Sequence, residues 1–239
     1  MATAHCEWGP NGIALLRTRV RVLVIVDVLS FSTAVDIAVG RGATIVPFPL
    51  GSGEAAAIAA RAVGATLATP KRTAGGQFSL SPVSLQAIPA GTKLMLPSPN
   101  GSKLSLAGGA ARVFAGCLRN ASAVAAAALR AAEGADIAVI PAGERWRGDD
   151  SLRPAIEDLL GAGAFLDALG LPLSPEARVA RDAFRAQDAD LAQTIRDSIS
   201  GRELIDSGFA QDVELAVAHD VSAAAPALRA GAYQAFDRI

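Results

Sequence analysis

Val22-Leu23-Val24-Ile25-Val26-Asp27-Val28-Leu29-Ser30-Phe31-Ser32-Thr33 is the stretch on which the fold turns. The run Val22 to Val26 is too short for a helix and too continuous for a strand with one wet face. It is expected as a central strand of a parallel sheet, buried on both sides. A polar loop follows, and Ala34 to Val39 then has helical character until Gly40 stops it. The same strand, loop, helix unit recurs outward along the chain. Ala43 to Pro47 precedes an Ala-rich helix from about Glu54, and Lys93 to Leu96 precedes the turn-rich Pro97-Ser98-Pro99-Asn100-Gly101-Ser102. Arg112 to Gly116 precedes Cys117-Leu118-Arg119-Asn120 and a helix from Ala121 to Glu133; Asp136 to Ile140 precedes a loop holding Glu144 and Arg145, then a helix from Arg153 to Leu169. Such alternation predicts an α/β protein, a three-layer α/β/α arrangement with a mainly parallel or mixed sheet and a helical C-terminal region from about Ser174, in one domain over 1–239. The stretch Thr69 to Thr92, broken by Pro70, Gly75, Gly76, Pro82, Pro89 and Gly91, is expected as a long loop or a set of short pieces, and long loops inside compact domains are often functional.

Composition removes several function classes. Lys+Arg 22 against Asp+Glu 23 leaves no global field for nucleic acid. Mean hydropathy is high at +0.34, yet the run Val22 to Val26 ends at Asp27, far short of the roughly 20 residues of a spanning helix. The start, Met1 to Pro10, lacks the pattern of a signal peptide, so a cytoplasmic location is expected. Cys6 and Cys117 match no metal or redox spacing and are read as small packing residues. With only His5 and His219 as histidines, the chemistry is expected to use carboxylates, hydroxyls, arginines and backbone amides. The Ala-rich helices and apolar content lead to the expectation of a homodimer.

In open parallel sheets, ligands bind beyond the carboxyl ends of the strands, so the polar loops should converge. Asp27 ends the most hydrophobic strand, where a carboxylate needs a cation or donors; a magnesium ion would serve. Asp27 as a plain helix cap is the competing reading. The site role is favoured because Ser30, Ser32 and Thr33 crowd the same helix start, a place suited to phosphate or carboxylate. An Asp-x-Asp-x-Thr phosphatase motif is excluded, because position 29 is Leu. Asn100-Gly101-Ser102 is either a tight turn or a close backbone approach to ligand. Arg119 offers a fork of donors for phosphate or sulfonate, beside Asn120, which also suits a cap. Glu144 and Arg145 place an acid and a base in one Gly-bounded loop. Of the adjacent Glu157 and Asp158 only one need face inward, and Asp158 is favoured because Gly161 and Ala162 give its face room for close packing.

Taken in order, these segments resemble the magnesium-dependent 2-phosphosulfolactate phosphatases. The matching pieces are Val26-Asp27-Val28-Leu29 with Phe31-Ser32-Thr33, Asn100-Gly101-Ser102, Gly116 to Ala121, Ala142-Gly143-Glu144, Glu157-Asp158 with Gly161-Ala162-Gly163, and Gly208 to Val213. The resemblance implies an α/β/α fold, a bound magnesium ion and hydrolysis of a small phosphorylated hydroxy acid with a second anionic group. Carried over by position, Asp27, Glu144 and Asp158 look like active-site acids, with Asp27 and Asp158 available to metal. Ser30, Ser32, Thr33, Asn100, Gly101, Ser102, Arg119, Asn120 and Arg145 look like substrate contacts. The alternative is a non-catalytic module that keeps the anion pocket. Where the family usually has Arg after Asp27-Val28-Leu29, this chain has Ser30, and Lys71 or Arg72 in the long loop are the cations available to replace that charge.

Overall fold

The computed structural model describes residues 1–73 and 77–236. Its N-terminal part runs β1 (Ala4–Cys6), α1 (Gly9–Leu16), β2 (Val22–Val26), α2 (Phe31–Gly40), β3 (Thr44–Pro49), α3 (Gly53–Ala62) and β4 (Thr66–Leu67). The middle continues with α4 (Pro82–Leu85), β5 (Lys93–Ser98), α5 (Gly101–Leu106), β6 (Arg112–Gly116), α6 (Ala121–Ala132), β7 (Ile137–Pro141), β8 (Glu144–Arg145) and β9 (Leu152–Arg153). The C-terminal part holds α7 (Ile156–Leu169), α8 (Pro175–Arg185), α9 (Leu191–Asp197), α10 (Ile199–Asp206), α11 (Ala210–Val217), β10 (Pro226–Arg229) and β11 (Ala232–Ala235).

Among the described residues the main sheet has nine strands in the order β1-β7-β2-β6-β10-β11-β3-β5-β4. β2 lies between β6 and β7 and is parallel to both. All five of its residues are buried. Val22, Val24 and Val26 join the cluster under α6 and α7, while Leu23 and Ile25 join the cluster with α1, α2 and Leu104 of α5. Helices on both faces explain why this strand carries no polar alternation. The α/β expectation holds, and the sheet is mixed.

The mixing comes from the C-terminal region, which is not helical to its end. β10 and β11 form an antiparallel hairpin inserted between β6 and β3, touching each through one pair, Ala227 with Phe114 and Tyr233 with Ile45. Its turn places Ala230 and Gly231 at φ 48° and 80°. Two left-handed residues suit a tight hairpin, but Ala is not a residue that announces one. Two further boundaries differ from expectation. Ala4–Cys6 is an edge strand, parallel to β7, and Leu152–Arg153 pairs with Glu144–Arg145 in a small separate ribbon before α7 begins. Cys6 and Cys117 are buried and unpaired, and burial pushes both thiols above their ordinary value, as befits packing residues. No helix among the described residues is long and apolar enough to cross a membrane.

Candidate active site

The strand ends that meet do so through three acidic side chains. Asp27 follows β2 directly, and its two oxygens accept from backbone amides, Oδ1 from Phe31 (3.1 Å) and Oδ2 from Gly101 (2.9 Å). The second bond ties the start of α5 to the end of β2 and requires glycine. A Cβ at position 101 would lie 2.3 Å from the Phe31 ring and 2.7 Å from Asp27 Oδ2. Asp158 reaches the same place from the first turn of α7. Its Oδ1 accepts from Val28 N (2.7 Å) and its Oδ2 from Gly143 N (2.8 Å), so one carboxylate clamps the loops after β2 and β7 together. Gly161 makes this reach feasible, because a Cβ there would lie 2.7 Å from Val28 and 2.9 Å from Val26. The small face expected beside Asp158 is where α7 lies against β2. Gly143, at φ 68° with Leu152 and the Arg153 carbonyl close by, turns the chain so that Glu144 follows. Asn100 Nδ2 donates to Glu144 Oε2 at 3.0 Å.

Glu157 belongs to the same cluster. Only one of the two adjacent acids was expected to be inward, yet both are buried. Side chains in a first helical turn lean back toward the N-terminus, where the helix dipole favours negative charge. Asp158 leans onto the strand ends, while Glu157 lies against Ser198 at the junction of α9 and α10, which covers the face that would otherwise be wet.

Four carboxyls are therefore gathered with little solvent. Desolvation by burial pushes Asp27 up to about 6, against the lowering effect of its two amide donors and of Arg72. Burial, then the charges of Asp27 and Glu157, push Glu144 up to about 7. Burial and the same neighbouring acids raise Asp158 well above the usual carboxylate range, and burial raises Glu157. The cluster thus carries exchangeable protons near neutrality, the property of a general acid–base site.

The cations are not those expected. Arg119 turns away: its Nε donates to Asp36 Oδ2 (2.9 Å) and its Nη1 to the Leu215 carbonyl (3.0 Å). It lines a separate cavity of about 280 Å³ with Asp36, Arg41, Gln86 and Ser222. A buried Asp36 inside α2 needs a counter-ion, and Arg119 supplies it. Arg145 lies in the β8–β9 ribbon and donates to the Asp150 carbonyl. The acid cluster instead has Arg153, whose charge lowers both Glu144 and Glu157, and Arg72, from the long stretch before α4. Arg72 Nη1 donates to Ser30 Oγ at 3.1 Å and to Asp212 Oδ2 at 2.8 Å. A cation from that stretch does stand where Ser30 leaves room.

The remaining expected contacts are used inside the fold. Ser32 Oγ donates to the Ile25 carbonyl and accepts from Asp27 N, and Thr33 Oγ1 donates to the Val28 carbonyl. Ser102 Oγ donates to the Leu96 carbonyl, and Asn120 Oδ1 accepts from Cys117 N. Ser32, Thr33, Ser102 and Asn120 are all 0% exposed. Hydroxyls and amides at strand ends satisfy backbone groups that the sheet leaves unpaired, so these four hold the loops. Glu157, the acid disfavoured against Asp158, belongs to the site; the sequence reading does not single out Arg153 or Asp212, although Asp212 lies within the matching piece Gly208 to Val213.

Magnesium chemistry fits this donor set. Asn100 Oδ1 is buried and has no hydrogen-bond partner among the described residues; with Nδ2 held by Glu144, it presents a carbonyl oxygen beside mutually repelling carboxyls. That is a hard-oxygen environment for a divalent cation. Among the described residues no three His, Cys, Asp or Glu side chains are arranged to hold an ion by themselves. Magnesium habitually takes one or two carboxylates and completes its shell with water and substrate oxygens.

Residues 13–231 match the sequence model of a protein family described as 2-phosphosulpholactate phosphatase. A search of curated proteins returned no match.

Proposed function

Because the chain belongs to the 2-phosphosulfolactate phosphatase family, a family of phosphoric monoester hydrolases, we propose that it is a magnesium-dependent phosphatase. Its substrate in this reading is 2-phospho-3-sulfolactate or a related small phosphorylated hydroxy acid with a second anionic group. The observation that supports this most is the meeting of Asp27, Glu144 and Asp158 at the carboxyl ends of β2 and β7, with an Asn100 oxygen that has no partner among the described residues beside them.

In this reading Asp27, Asp158 and Asn100 Oδ1 would hold the magnesium ion, leaving Glu144 free for proton transfer. Asp158, expected as a second ligand, accepts from two backbone amides as Asp27 does, and it fixes the two loops as well. A bound magnesium ion would neutralise charge on the phosphoryl oxygens. Glu144, pushed up to about 7, keeps a proton available for the leaving alkoxide oxygen; the attacking water's surplus proton leaves with the phosphate product, and Glu144 is reprotonated from solvent after release. Asp27 is fixed by two amide donors and lies at the reacting centre as an electrostatic anchor, with water as the nucleophile.

The test is a substrate panel. Purified protein with magnesium should release phosphate from 2-phospho-3-sulfolactate with a kcat/KM at least tenfold above that for 2-phospholactate, which lacks the sulfonate. Equal rates would remove the substrate assignment, and no release from any phosphorylated hydroxy acid would remove the hydrolase reading.

A further inference from the structure

Arg72 is anchored in a way that a structural ion pair does not need. An arginine whose task is to neutralise a buried carboxylate does so best through two parallel hydrogen bonds. Arg72 meets Asp212 through Nη1 alone, and the second Nη1 hydrogen goes to Ser30 Oγ. Asp212 does not depend on Arg72, since its other oxygen accepts from Ser81 Oγ and Val83 N. The Phe209 ring lies 5.6 Å from the guanidinium carbon and limits its tilt. Among the described residues nothing accepts from Nε or Nη2, and the side chain is 19% exposed while Asp212 is 1% exposed. A pinned guanidinium with its Nε/Nη2 edge unused is a fork matched to two oxygens of a phosphate.

Its place agrees with that use. Arg72 is the one basic group among the main influences on the Asp27 carboxyl, and Ser30, its partner, immediately precedes α2. The arginines on these loops are committed elsewhere, Arg119 to Asp36, Arg145 to a backbone carbonyl, and Arg153 to Glu203 with its guanidinium over Trp146, and Lys71, next to Arg72, is exposed.

We propose that Arg72 is a substrate-binding residue, its Nε/Nη2 edge taking two oxygens of the phosphoryl group beside Asp27, and that Asp212 and Phe209 are positioning residues for it. The assignment rests on the phosphatase reading of the same site. It explains how a chain with Ser at position 30 still presents a fixed cation to a dianion: the charge arrives from the stretch before α4 and is latched to α11.

The experiment compares wild type, Arg72→Lys and Arg72→Ala in phosphate release from 2-phospho-3-sulfolactate, with folding of each checked by circular dichroism and thermal unfolding. Loss of two charge-assisted hydrogen bonds should lower kcat/KM of Arg72→Ala by about 100-fold or more, with KM raised. Arg72→Lys keeps the charge without the fork and should recover less than a tenth of the wild-type value. Methylguanidinium in solution should raise Arg72→Ala activity at least tenfold and leave wild type unchanged, a response that a purely structural role would not give. A folded Arg72→Ala within threefold of wild type, or one that is inactive and not rescued, overturns the assignment. If Arg72→Ala does not fold, Arg72→Lys decides alone: wild-type kcat/KM overturns the proposal. If wild type releases phosphate from nothing, the hydrolase reading fails. Titration calorimetry with inorganic phosphate then decides Arg72: tenfold weaker binding in Arg72→Ala or Arg72→Lys supports it, and equal binding overturns it.

Discussion

Replacing Glu144 by Gln should make the magnesium-free protein more stable at pH 8 and abolish most of its activity. Glu144 is pushed from an ordinary value of 4.5 up to about 7 by burial and by Asp27 and Glu157. A carboxyl raised in the folded state binds its proton more tightly there than in the unfolded chain. The resulting stability is fully present below pH 4.5, is lost as pH rises, and is gone above about 7. At roughly 1.4 kcal/mol per pH unit, holding Glu144 ionised costs the fold about 3 kcal/mol at pH 8. Gln can still accept from Asn100 Nδ2, as Glu144 Oε2 does at 3.0 Å, so the substitution removes the charge without breaking the contact. For a chain of this size about 3 kcal/mol corresponds to a rise in Tm of roughly 6–12 °C. The assay is thermal unfolding of wild type and Glu144→Gln in chelator at pH 4 and pH 8. The account expects the variant to gain stability at pH 8 and to match wild type at pH 4. A variant no more stable than wild type at pH 8, or one with the same advantage at both pH values, would refute the idea that the acids repel one another in a desolvated site.

Three further outcomes follow from the same contacts. Gly101→Ala should destabilise by about 2 kcal/mol and reduce kcat, because the added carbon meets Phe31 and Asp27 at 2.3 and 2.7 Å; denaturant unfolding and steady-state rates check both. Asp158→Ala leaves two buried amides, of Val28 and Gly143, without acceptors and should cost about 2–5 kcal/mol in urea unfolding. Rapid acid quench during turnover of phosphorus-labelled substrate should trap no phosphoenzyme, since this reading gives Asp27 to the metal and makes water the nucleophile; label on the protein would make Asp27 the nucleophile.

What the residues disclosed in advance was local. Val22 to Val26 identified the central strand because burial on both faces leaves an unbroken apolar run; Asp27 and Glu144 stood out as acids that follow strands, and Asp158 as an acid on the small-residue face of a helix. Gly161 and Ala162 pointed correctly to the face of α7 that touches β2. The failures are non-local. Arg72 and Asp212 are 140 residues apart, and nothing near Arg119 indicates that a buried acid within α2 captures it. Serine and threonine at a helix start look alike whether they bind a ligand or a backbone carbonyl; Ser32 and Thr33 do the latter, while Ser30 accepts from Arg72. The β10–β11 hairpin escaped because its strands are short and its turn is Ala-Gly rather than Asn-Gly.

The account stands most directly on phosphate release from 2-phospho-3-sulfolactate by wild type and Asp27→Asn, each measured in magnesium and again after chelation. Wild type in magnesium should turn over, and chelation or loss of the Asp27 charge should each lower the rate at least 100-fold, with little further loss when combined. Wild-type release that persists undiminished in chelator, or an Asp27→Asn variant as active as wild type, would contradict a magnesium-dependent site built on Asp27.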